Sequence, residues 1–76
     1  MDTNMVNLTQ YITDITNGCT FLDSLVSDES TDAARIQEVI NGIEYQMGLS
    51  IVADSDEDLT TFQSSVTSAK TYLAGL

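Results

Sequence analysis

Histidine and proline are absent from this 76-residue chain, cysteine occurs once, and only two residues carry positive charge. Each shortage excludes something. Without histidine, the side chain that most often acts as general base near neutral pH is missing. A single cysteine can form no intrachain disulfide, and no thiolate–imidazole set is available for a structural zinc. Two cations against twelve carboxylates leave a formal net charge of −10. That charge argues against direct binding to nucleic acid, whose affinity is supplied by Lys and Arg, and equally against anionic membranes. No apolar run approaches the ~18 residues of a membrane span. The opening Met1-Asp2-Thr3-Asn4 lacks the basic stretch of a secretion signal. The expectation is a protein of the cytoplasm, or of a host cytoplasm or virion if viral. Asn7-Leu8-Thr9 matches the glycosylation sequon and, on that expectation, is read as chance.

What is present is apolar enough to fold. Hydrophobic residues make up 42% of the chain, too many for a disordered acidic tail. The length fits a single domain over residues 1–76, which would bury only about 60% of the surface exposed when unfolded. With disulfide and zinc excluded, association with itself or with a partner is the remaining reinforcement.

The apolar residues fall into three helical stripes. The first runs through Leu8, Tyr11, Ile12, Ile15, Cys19, Leu22, Leu25 and Val26, with Met5 leading in, and predicts a helix over about 5–26. Gly18 lies on this stripe, where glycine costs about 1 kcal/mol against Ala. Close approach of a neighbouring helix could offset that cost; a break at Asn17-Gly18 is the alternative. A second stripe, Ala33, Ile36, Val39, Ile40, Ile43 and Met47, predicts a helix over about 31–47, with Gly48 as a left-handed C-cap. Leu49 through Ala53 is apolar for a connector and is expected to fold back over the core. A third stripe, Leu59, Phe62, Val66, Ala69, Leu73 and Leu76, predicts a helix over about 55–74. Short connections make sequential helices antiparallel, so the fold class is all-α, a three-helix up-down-up bundle.

Seven of the twelve acidic residues cluster ahead of the second and third stripes, as Asp28, Glu29, Asp32 and as Asp54, Asp56, Glu57, Asp58. Carboxylates are favoured at helix N-termini, where backbone N–H groups are unpaired and the dipole is positive. Asp54 or Ser55 is the expected cap of the third helix, with Glu57 or Asp58 reaching back. The clusters either terminate helices or meet a basic partner.

The polar faces carry hydroxyls and amides where solvated helices usually carry Glu and Lys. Thr9, Gln10, Thr13, Thr16, Asn17 and Thr20 face outward on the first helix, and Thr60, Thr61, Gln63, Ser64, Ser65, Thr67 and Ser68 on the third. Such residues lower helix propensity, so these helices depend on packing. Neutral polar faces can also be buried against protein without desolvating charge; compositional drift is the competing explanation. Phe21 and Tyr45 fall off the stripes and are candidate interface anchors, although single exposed apolar residues are common.

Little in the chain suggests chemistry. Cys19 sits on an apolar stripe with no basic neighbour in sequence, which reads as a buried core thiol. Asp54-x-Asp56-x-Asp58 has the opening spacing of a calcium loop, but Leu59 and Ser65 occupy the positions that need glycine and a bidentate glutamate. No catalytic, cofactor-binding or metal-binding residue is expected. Asp23-Ser24-Leu25 resembles the phosphopantetheine attachment motif of acyl carrier proteins, which are small, acidic and helical, and the stretch from Glu44 through Leu73 resembles their second half. That resemblance implies Ser24 as the attachment point.

The expected function is a non-enzymatic, acidic, helical protein-interaction module: a small structural or assembly subunit of the phage or viral accessory type. Its partner would be protein, including a second copy or a surface with a basic patch. Two alternatives stand beside it. One is an acidic nucleic-acid mimic that inhibits a host DNA-binding enzyme, as anti-restriction and anti-CRISPR proteins do. The other is a carrier-like protein modified at Ser24.

Overall fold

A computed structural model of the protein describes residues 3–76, with side chains from residue 7 onward. Met5 of the first stripe therefore lies outside the described side chains. Four helices are present, and no strand occurs among the described residues. They are α1 (Thr3–Ser27), α2 (Ala33–Gly48), α3 (Ser50–Ala53) and α4 (Thr60–Ala74).

The first stripe folds as one unbroken helix, and Asn17-Gly18 does not interrupt it. The reason is packing. A Cβ built on Gly18 would lie 3.1 Å from Cγ1 of Ile43, so the missing side chain lets α1 and α2 approach closely. α1 ends on an αL cap. The Ser30 N–H bonds the Leu25 carbonyl and the Glu29 N–H bonds that of Val26, with Glu29 at φ 57°. Glycine is the usual occupant of such a position because it has no Cβ to clash.

Asp32 then caps α2, its carboxylate accepting the Arg35 N–H at 3.0 Å. The helix starts at Ala33, two residues later than the sequence predicts, and Ala33 itself is exposed. At the far end the expected left-handed glycine is not found. Gly48 is still helical, no glycine has positive φ among the described residues, and the chain leaves α2 through the extended backbone of Leu49 (φ −64°, ψ 137°). The Leu49 carbonyl accepts from Val52 and Ala53, which winds the apolar connector into α3 and carries Val52 into the core at 0% exposure.

α4 begins five residues later than predicted. Asp54 and Ser55 do not cap it: Asp54 closes α3, while the Ser55 hydroxyl donates to the Val52 carbonyl at 2.6 Å. Leu59 occupies the N-cap position without a side-chain bond, and Asp58 accepts the Thr60 N–H at 2.9 Å. The short α3 uses residues that simple periodicity would assign to the next helix.

α1, α2 and α4 each pack against both of the others, and α3 packs on α1 and α2. Ile15, Leu22, Ile36, Ile40, Val52 and Ala69 are fully buried at their meeting, with Cys19, Ile43 and Val66 nearly so. Among the described residues no polar or charged side chain is buried. Each large aliphatic contributes about 1.5–3 kcal/mol on burial, and this apolar seam is what orders helices of low intrinsic propensity. Leu76, placed on the third stripe by spacing, stands exposed beyond the end of α4.

Candidate interaction surface

The seven clustered carboxylates divide by what they do for the backbone. Asp32 and Asp58 terminate helices, as described. Contact with Thr60, through its hydroxyl and then its N–H, holds the Asp58 carboxyl below the usual range. The other five are exposed, and among the described residues none of their carboxylates caps a helix. Glu29 is the αL residue ending α1, Asp28 bonds through its own N–H to the Ser24 carbonyl, and Asp54 through its N–H to that of Ser50. Asp56 and Glu57 sit in the following turn, where the Glu57 N–H reaches the Ser55 hydroxyl at 3.3 Å. Capping by the carboxylate itself therefore accounts for only two of the seven.

The two acidic turns are not brought together. The phenol of Tyr72 donates to the Ser30 carbonyl at 2.6 Å, which fixes the 28–32 turn beside the C-terminal end of α4. The 54–58 turn precedes the N-terminus of that helix. Fifteen residues of α4 separate them by roughly 22 Å.

Both cations are occupied internally. Lys70 on α4 meets Glu44 on α2 at 3.0 Å, an exposed pair. The Arg35 guanidinium lies 5.6 Å from the centroid of the Phe21 ring, within cation–π range. Phe21, one of the two off-stripe aromatics, is thus partly covered and remains 44% exposed. Tyr45 is 71% exposed, and among the described residues no hydrogen bond, ion pair or ring contact involves it.

Four of the outward hydroxyls are satisfied by their own helices. Thr16, Thr20 and Ser24 on α1 donate to the carbonyls of Ile12, Thr16 and Thr20, and Thr71 on α4 donates to Thr67. Ser24, where the carrier-protein resemblance places its attachment point, lies in the last turn of α1 with its hydroxyl engaged this way. Ser65 departs from the expected outward face: it is half-buried and donates to Asp23 Oδ2 at 3.3 Å, linking α4 to α1.

Cys19 is buried between these helices. Burial pushes its thiol pKa up, the Asp23 carboxylate adds to the rise, and a hydrogen bond with Ser65 partly opposes it. This is the opposite of nucleophile activation. Among the described residues no three Asp, Glu or Cys side chains converge on a point that could hold a metal ion. Among them, too, no helix is long and apolar enough to cross a membrane.

Sequence reasoning missed the Tyr72–Ser30 and Lys70–Glu44 links and the Arg35–Phe21 contact. Tyr72 follows Ala69 by three and could have been placed on the core side from spacing alone. The other two pairs join separate helices and leave no local signal. No family model, curated protein or solved structure matches this chain.

Proposed function

We propose that this chain is a non-enzymatic acidic module that binds another protein, as a small structural or assembly subunit working in a cytoplasm or a virion. In this reading α1, α2 and α4 form an up-down-up bundle. Gly18 against Ile43, Asp23 with Ser65 and Ser30 with Tyr72 support that arrangement.

One observation carries the functional reading. Four outward hydroxyls, Thr16, Thr20 and Ser24 on α1 and Thr71 on α4, are already bonded to their own helix, while both cations are spent internally. A hydroxyl whose proton is already engaged can be covered by a partner without stranding its donor. The excess carboxylates meanwhile favour a partner with basic character.

Sedimentation velocity of the purified chain, alone and mixed with basic proteins from its own source, tests the reading. Salt-sensitive complexes with a defined protein are expected. A monomer at all concentrations that binds no basic protein contradicts it. Binding to a nuclease that is displaced by DNA would shift the weight to the nucleic-acid mimic.

A further inference from the structure

We propose that the outward face of α2 centred on Tyr45 is a docking surface for a basic helical segment of the partner; this rests on the interaction-module reading above. On a helix, residues three, four and seven apart share a face. Glu38 and Asn41 therefore line up with Tyr45, and Gly42 lies beside the line, all four exposed. A Cβ added to Gly42 would meet nothing within 4 Å, so the backbone beside the Tyr45 ring is open to an approaching chain. The Glu38 carboxylate has no ion-pair or hydrogen-bond partner among the described residues. Glu44, on the flank of the same helix, is already taken by Lys70.

Charge complementarity selects the occupant. A second copy would bring another net charge of −10, with its Arg35 committed to Phe21 and its Lys70 to Glu44. The one cation beside this face, Arg35 three residues before Glu38, lies against the Phe21 ring, so a segment rich in Arg or Lys brings the charge that Glu38 lacks. Glu38 and Tyr45 are two helical turns apart, roughly 10.5 Å. A partner helix lying alongside, with cations seven residues apart, would set one on the Glu38 carboxylate and the next over the Tyr45 ring, as cation–π pairing requires. The carboxylates of the two acidic turns attract the segment from a distance but do not define where it seats.

The test is an NMR titration of the isotope-labelled full chain with a synthetic amphipathic helical peptide bearing Arg at seven-residue spacing, in low salt. A peptide of the same design with Glu for Arg is the control. Shift changes are expected at Glu38, Asn41, Gly42 and Tyr45 with the Arg peptide alone. Tyr45→Ala should weaken binding about two- to fivefold, and Glu38→Gln by a similar factor, with circular dichroism unchanged in both. Shifts confined to the 28–32 and 54–58 turns, with both variants binding normally, would overturn this surface while leaving the basic-partner reading standing. No binding of the Arg peptide at all would overturn both.

Discussion

The hydroxyl of Tyr72 and the carbonyl of Ser30, 42 residues apart in sequence, are joined by a 2.6 Å hydrogen bond. It ties the last turn of α4 to the turn between α1 and α2, and the ring itself is half-buried against the core. Tyr72→Phe keeps the ring and removes the donor. A partly buried hydrogen bond of this kind is worth about 1 kcal/mol, which in a domain this small lowers the thermal midpoint by roughly 4–8 °C. Thermal denaturation followed by circular dichroism measures it.

Identical glycine substitutions should behave differently on α1 and α2. Gly42→Ala gains helix propensity at no steric cost, since open space surrounds the new methyl, and should stabilise by about 0.5–1 kcal/mol. Gly18→Ala makes the same gain but places Cβ 3.1 Å from Ile43 Cγ1, so the helices must part by a few tenths of an ångström. Its stabilisation should fall short of that at Gly42 or reverse sign. Urea titration of the two variants side by side decides the matter.

Glu29 holds a left-handed conformation that costs a residue with a Cβ roughly 1–2 kcal/mol. Glu29→Gly should therefore stabilise the protein, by less than that figure because glycine also widens the unfolded ensemble. Glu29→Ala removes the charge and keeps the strain, so only the glycine variant should show the backbone gain. Equal midpoints for the two would mean that charge alone matters at this turn.

Cys19 predicts an alkaline sensitivity. Its folded pKa is raised above 9.0, chiefly by burial and then by Asp23. Well below pH 9 the thiol is protonated in both states and the folded state loses nothing. As pH rises past 9, the unfolded chain sheds the proton first, so stability falls until the folded thiol also ionises. Stability measured from pH 8 to 10 should decline more steeply in the native protein than in Cys19→Ala. Alkylation of the native thiol should also be much slower than in denaturant.

The all-helical character was legible because Ile15, Cys19 and Leu22 on α1, and Ile36, Ile40 and Ile43 on α2, recur at spacings that only a helix brings to one face. Asp32 as a cap was legible for a similar reason, since its chemistry is local. The start of α4 was not. Asp54 and Ser55 have good capping side chains, but Leu49 had already begun α3, and Ser55 was consumed in closing it. Gly48 looked like a terminator, yet the chain could leave the helix through Leu49 without any left-handed residue, and the left-handed residue fell on Glu29 instead. Of the surface, Tyr45 was readable as an off-stripe aromatic. The covering of Phe21 by Arg35 depends on two helices meeting and could not be read from either alone.

Ile40→Ala is the most direct test of the central claim, that one shared apolar seam holds up helices too weak to persist alone. Ile40 is fully buried, and its truncation should cost about 2–5 kcal/mol. Far-ultraviolet circular dichroism, with tyrosine fluorescence reporting on α1 and α4 through the half-buried Tyr11 and Tyr72, should show one coincident transition at a much lower temperature. Retention of most helix signal after the tyrosine transition, or a thermal midpoint unchanged by the substitution, would contradict the account.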